Sequence, residues 1–382
     1  MSPSVPPSPQ FDPLPHSSTH PSNHPSAHPS SHSKLGVPVG SESSDGRVRL
    51  ASDALPPVEP PSAGFVVQLF FIPLVIVSLI VCVWLMFSWI AHAGSNPRAI
   101  VAEIRKNNDA SWQKAFELAN LLRNSDADAI KDDVELAGDL CTFLDAELAA
   151  GQQDEAKVKL REFLCGVLGQ FRVGQVVPTL VEAVRTQKSA VDLRVRTAAV
   201  EALTVHLSNV GSERVAQRDA VRDVLLDASR SRSDNPDERP KYDQLRSSAA
   251  FALGVLGGEE SLQRLSELRD DGYANVRFNA ALGLARHGDP RAVEGLVDML
   301  DPVNPAVTVD ETNEGEKLRK RIRVLKNAIR ATARYWEVRH ELPQDLLAAI
   351  EKLSTTDVAK DVQMDATDLL LTIRRAETRS DP

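Results

Sequence analysis

Five histidines, His16, His20, His24, His28 and His32, recur at every fourth residue near the start of this 382-residue chain. Imidazoles at that spacing would line one face of a helix, where they could gather zinc, copper or nickel. The prolines between them forbid such a helix, so the tract reads as a low-complexity repeat and not as a metal centre. The one His-Glu pair, His340-Glu341, has no companions for a two-metal site. Cys82, Cys141 and Cys165 form no Cys-x-x-Cys and read as small buried or membrane-embedded apolar residues. Gly254, Gly257 and Gly258 lack the Lys-Ser or Lys-Thr of a phosphate loop and read as helix caps. Neither a nucleophile elbow nor His-Glu-x-x-His occurs, so the expectation is a non-catalytic chain with no cofactor and no metal.

A different set of charged residues recurs with more order. Arg161, Arg196, Arg246, Arg277 and Arg323 each follow a leucine, valine or isoleucine, and two of them open nearly duplicate stretches 31 residues apart. These are LRSSAAFALGVLGG from Leu245 and VRFNAALGLARHGD from Val276. Paired alanines one turn before a leucine make a flat helical face that a neighbouring helix can approach closely. Gly257 and Gly288 then suit a left-handed helix end, and Asp289-Pro290 suits the start of another. Leu262, Leu265 and Leu268, and likewise Val293, Leu296 and Met299, supply the buried stripe of a second helix. Each unit is therefore expected to be a helical hairpin.

The pattern V-R-x-x-A-A-x-x-L, a short turn and an apolar helix resembles the HEAT-like repeats, in particular the short subtype named after phycobilisome lyases. The resemblance implies an all-α, right-handed α-solenoid. Weaker copies begin at Leu160-Arg161, Val195-Arg196 and Ile322-Arg323, with degenerate ones at Ser111–Leu122 and Val362–Leu371. About seven hairpins would then fill an array assigned to residues 92–376, followed by a disordered end at 377–382. The resemblance also implies a structural ladder in which Arg161, Arg196, Arg246, Arg277 and Arg323 bond to loop aspartates and carbonyls, with Asp270 and Asp301 as partners. One relative of this repeat type is an iron-dependent hydroxylase carrying His-Glu directly after Val-Arg. Here those positions hold Ser247-Ser248, Phe278-Asn279 and Thr197-Ala198, which cannot ligate a metal.

Residues 65–91 run without a charge, long enough at 1.5 Å per residue to cross a hydrocarbon core of roughly 30 Å. They are assigned as a single transmembrane helix. The 64 residues before it hold fourteen of the 24 prolines and few large apolar side chains, the composition of a disordered tail. Arg98, Arg105 and Lys106 follow the span, whereas Asp53 and Glu59 precede it without nearby Lys or Arg. The positive-inside rule then puts the repeats in the cytoplasm and the tail outside.

The net charge of −9 does not favour nucleic acid as the general partner. Arg319, Arg323, Lys326, Arg330 and Arg334 nevertheless fall on one helical stripe, beside an apolar stripe of Leu318, Ile322, Leu325, Ile329 and Trp336. That basic helix, residues 317–339, is a candidate contact for an anionic partner, unless acids such as Asp310, Glu311, Glu314 and Glu316 cover it. The expected function is a membrane-anchored scaffold or adaptor whose concave solenoid surface binds protein partners. The alternatives are a modifying enzyme or lyase-type subunit of the repeat family, and a platform for acidic lipid or nucleic acid.

Overall fold

Asp133, Asp154 and Asn313 each turn a side-chain oxygen onto amides of the helix that follows, satisfying donors that the first helical turn leaves open. Pro97 starts another helix behind the cap Asn96. Such local signals divide the chain into sixteen α-helices and no strand among the described residues, which in this computed structural model are 63–93, 96–123 and 128–380. The histidine tract, Asp53, Glu59 and the tail assigned to residues 1–64 lie outside them, apart from Ala63 and Gly64, which are helical.

Two units are distinct. One contains α1 (Ala63–Ala93), which outruns the assigned span by two residues at each end and continues through Pro73. Its segment Val67–Phe87 is long and apolar enough to cross a membrane, and none of it is buried.

The other unit contains α2 (Pro97–Ile104), α3 (Ser111–Arg123), α4 (Asp128–Lys131), α5 (Val134–Ala150), α6 (Glu155–Gln170), α7 (Val176–Arg185), α8 (Asp192–Val210) and α9 (Arg218–Ala228). It continues with α10 (Arg239–Leu256), α11 (Glu259–Leu268), α12 (Ala274–Arg286), α13 (Val293–Leu300), α14 (Glu314–Arg339), α15 (Gln344–Thr355) and α16 (Lys360–Ser380). Alternate helices pack side by side in two layers, as an α-solenoid requires. The first layer runs α3, α6, α8, α10, α12, α14, α16; behind it α5, α7, α9 and α11 form one run and α13 and α15 another. The Arg269–Glu294 ion pair links the two runs at 2.6 Å. Arg98 and Arg105 tie α2 to α5 through Asp133, Glu135 and Asp139. Seven hairpins result among the described residues, with the degenerate copies at both ends.

The first layer is held at unusually short range. A Cβ added to Gly254 would lie 2.5 Å from the Gly283 Cα, and one added to Gly169 would lie 2.7 Å from the Ala202 Cα. Both contacts have one register. The first partner stands eight residues beyond its ladder arginine, the second six beyond the next. Gly254 is therefore a contact glycine of α10 and not a cap, whereas Gly257, with φ of 67°, does end that helix.

Three boundaries differ from expectation. The stretch 229–243, whose two prolines and mixed charges read as a long loop, instead starts the helix α10 at Arg239, because Pro240 is tolerated in a first helical turn. The C-terminal residues 377–380, expected to be disordered, continue α16 because its buried Ala366, Leu369, Leu370 and Ile373 hold the helix against the stack. The second-last copy is also displaced. Residues three, four and seven beyond each ladder arginine are buried, as at Ala249, Ala250 and Leu253, or Ala280, Ala281 and Leu284. In α14 that rule selects Arg321, followed by buried Val324, Leu325 and Ala328. Measured from Arg323 it would bury Arg330, which is exposed.

Replacing Gly254 by valine is expected to cost about 1–3 kcal/mol or more through overpacking. Gly166, whose added Cβ would meet nothing within 4 Å, is the control: Gly166→Ala should stabilise by up to about 1 kcal/mol. Urea unfolding of the detergent-solubilised chain, followed by circular dichroism, measures both; a Gly254→Val midpoint equal to wild type would refute the close approach.

Candidate partner-binding face

Four of the five ladder arginines share one geometry. Each reaches from the first turns of a first-layer helix to a carbonyl at the end of the preceding helix or in the connection that follows it. Arg161 donates to the Gln152 carbonyl, Arg196 to Val184 at 2.9 Å, Arg246 to Ser231 at 3.2 Å, and Arg277 to Asp271 at 2.8 Å and Gly272 at 3.3 Å. Arg161, Arg196 and Arg246 also reach the next connection. They meet Asp192 at 3.5 Å, the Ser231 hydroxyl at 3.3 Å, and both carboxylate oxygens of Asp271 at 3.0 and 3.1 Å. In α16 Gln363 takes the same place, donating to the Thr356 carbonyl at 2.5 Å.

Arg323 has no such partner among the described residues, since it lies two positions off the repeat register. The aspartates also need correction. Asp270 is exposed, and its neighbour Asp271 is the buried ligand of Arg246. Asp301 caps its own loop through the Val303 amide at 3.4 Å and meets no ladder arginine. Adjacent aspartates cannot be told apart by spacing, since only the turn geometry decides which faces inward.

Burial alone would raise the Asp271 carboxyl, but the Arg246 guanidinium and the Tyr273 amide outweigh it and hold the group below its ordinary range. Burial pushes the Cys141 and Cys165 thiols up to about 11 and about 12, so both are inert packing groups. Among the described residues no group of three His, Cys, Asp or Glu is placed to hold a metal ion.

Residues 238–308 match HEAT repeats. No curated protein matches the chain. The matched HEAT repeats contain Arg246, Arg277 and the Gly254–Gly283 contact, and the same register extends outward to α6, α8, α14 and α16.

The outward face of the first layer changes character along the stack. On α6 and α8 its charges are answered: Arg194 donates to both Glu162 oxygens at 2.7 and 2.8 Å and to Glu155 at 2.8 Å. Burial raises the Glu162 carboxyl despite this partner. On α10 and α12 the face is nearly closed, with Phe251, Val255 and Leu282 at 9, 8 and 2% exposure. On α14 it is cationic. Arg319, Arg323, Lys326, Arg330 and Arg334 stand opposite the core-facing Val324, Ala328 and Tyr335, as the helical period requires.

The companion apolar stripe is buried or half-buried at Ile322, Leu325, Ile329 and Trp336, while Leu318 is 55% exposed. Residues 302–316, an acidic insertion between α13 and the body of α14, pack against this helix, but Asp310 and Glu311 serve the buried Lys320, at 3.6 and 3.4 Å, and Glu314 pairs with Lys317. Lys326 is answered from the neighbouring helix by Asp361 at 2.7 Å and Asp365 at 3.8 Å, and Arg334 by Glu337 on its own helix. Arg319, Arg323 and Arg330 have no ion-pair or hydrogen-bond partner among the described residues.

Two open grooves lie elsewhere. One of about 630 Å³ between α13 and α15 is flanked by Arg291, held by Asp289, and Arg269, held by Glu294. The other, about 420 Å³, lies between α5 and α7 and contains Asp145, which accepts from Thr179 at 3.2 Å.

Substituting Arg246 by methionine leaves the buried Asp271 with the exposed Arg232, at 3.2 Å, as its remaining cation, and is expected to cost up to about 3–5 kcal/mol. Asp270→Asn should change stability by less than about 0.5 kcal/mol. Because the native pKa of Asp271 is lowered, its contribution is complete above about pH 4 and drains as pH falls toward the lowered value. Denaturant midpoints at neutral and acid pH should therefore show the gap between wild type and Arg246→Met closing in acid.

Proposed function

We propose that this protein is a single-pass membrane-anchored HEAT-repeat scaffold, binding protein partners through the surface of its solenoid without catalysing a reaction. The contrast between two sets of arginines carries the reading. Those of the ladder, buried at Arg161, Arg196 and Arg246 and half-buried at Arg277, are answered by the chain itself. Arg319, Arg323 and Arg330 project from the outward face of the array and are answered by nothing among the described residues. Holding several arginines within one helical face costs mutual repulsion that a partner's acidic groups would offset.

Segment Val67–Phe87 supports the anchor by its length and its uncovered apolar side chains. Charge bias supports a cytoplasmic array and an external tail, with Arg98, Arg105 and Lys106 on the retained side. The short, Ala-rich central repeats favour the phycobilisome-lyase-like subtype and its right-handed stacking.

The protein should resist alkaline carbonate and leave membranes only with detergent. Extraction by carbonate alone would remove the anchor from this reading. Protease added to intact cells should trim the tail and spare the repeats. Affinity capture from detergent extract should recover at least one protein that survives washing, and a chain that returns nothing reproducible would defeat the scaffold function.

A further inference from the structure

The unanswered charges of α14 have a definite length and definite neighbours. From Arg319 to Arg334 the stripe covers about 22 Å of helix, which equals roughly seven residues of extended chain. On one side is α12, whose terminal Arg286 is half-buried and close enough to Arg334 for their charges to interact. Burial, and then Arg334, lower the Arg286 pKa to about 10. On the other side is α16, which presents Asp361, Asp365 and Asp368. The positive field is thus a narrow lane, running between α12 and the carboxylates along α16.

That shape separates two kinds of anionic partner. A flat anionic bilayer would have to meet the α16 carboxylates along with the arginines. A single acidic strand can lie over the arginines alone. We infer that the outward face of α14 is a docking lane for one acidic polypeptide segment, whose carboxylates pair with Arg319, Arg323 and Arg330 along the seam with α12. The inference rests on the scaffold reading above and names the chemistry of its partner.

The Lys326 pairing gives α16 a restraining role in the same device. Asp361 and Asp365 occupy the one lysine of the lane and repel an incoming carboxylate. Lys326 in turn holds the Asp361 carboxyl below its ordinary range. Removing the two carboxylates would free a cation and widen the lane at once.

The test uses the full chain in phosphatidylcholine nanodiscs, titrated with fluorescein-labelled octaglutamate at low salt and read by anisotropy. Saturable binding that fades as salt shortens the screening length to about 10 Å is expected. Arg319→Glu with Arg330→Glu, both exposed positions, should weaken it about tenfold or more, and Arg323→Gln should weaken it less. Asp361→Asn with Asp365→Asn should tighten it. Failure of octaglutamate to bind, or equal binding by the double charge reversal, would overturn the inference. Arginine-dependent capture of added phosphatidylserine vesicles without peptide binding would also overturn it, in favour of a membrane. If the double variant still captures protein partners in full yield, the lane is refuted and the scaffold reading stands. If wild type captures none, the scaffold reading falls whatever octaglutamate does.

Discussion

A guanidinium buried in the turn between two helices organises this array. Arg246 joins three parts of the chain, the Ser231 carbonyl before its helix, Asp243 one turn earlier on its own helix at 2.6 Å, and Asp271 before the next helix. A charge taken out of water is tolerable only when its donors are met, so each connection must place its carbonyls and acids correctly. The requirement fixes how one hairpin follows another. The glycine and alanine contacts then settle how near the helices come. Pairing without close packing would leave gaps in the layer, and close packing without pairing would bury naked charge.

The same accounting explains why the face of α14 stands apart. Elsewhere in the first layer Arg161, Arg196 and Arg246 are taken up by the ladder, and Arg194 by the carboxylates Glu162 and Glu155 of the adjacent helix. In α14 the apolar position of the Val-Arg motif is held by Lys320, which takes the insertion's Asp310 and Glu311. Those acids are therefore withdrawn from the outward stripe. An internal substitution has left an external charge unmet.

Much of the architecture was legible because a repeat states its packing rule more than once. Arg246 and Arg277 with their alanine pairs announce the hairpin, and the ladder follows at Arg161 and Arg196 from the same motif. Positions whose role depends on another chain segment were hidden. Asp271 differs from Asp270 only by the turn that holds it. Gly254 looks like a cap until Gly283 is seen across from it. In α14 two basic residues in succession, Arg321 and Arg323, compete for one register, and the burial pattern three, four and seven residues on could have decided between them. The Lys326 pairing with Asp361 and Asp365 spans two helices and left no signal along the chain.

The contact register also has a mechanical consequence. Eight residues beyond one ladder position and six beyond the next stand Gly254 and Gly283 at the centre, Ala285 and Asn327 one step on, and Ile329 and Leu369 between α14 and α16. Backbone against backbone has almost no free travel, whereas long side chains change rotamer and let their helices slide. Compliance therefore rises toward the C-terminal end of the stack. Under load the middle of the array would transmit displacement as a stiff block, and the last hairpins would absorb it.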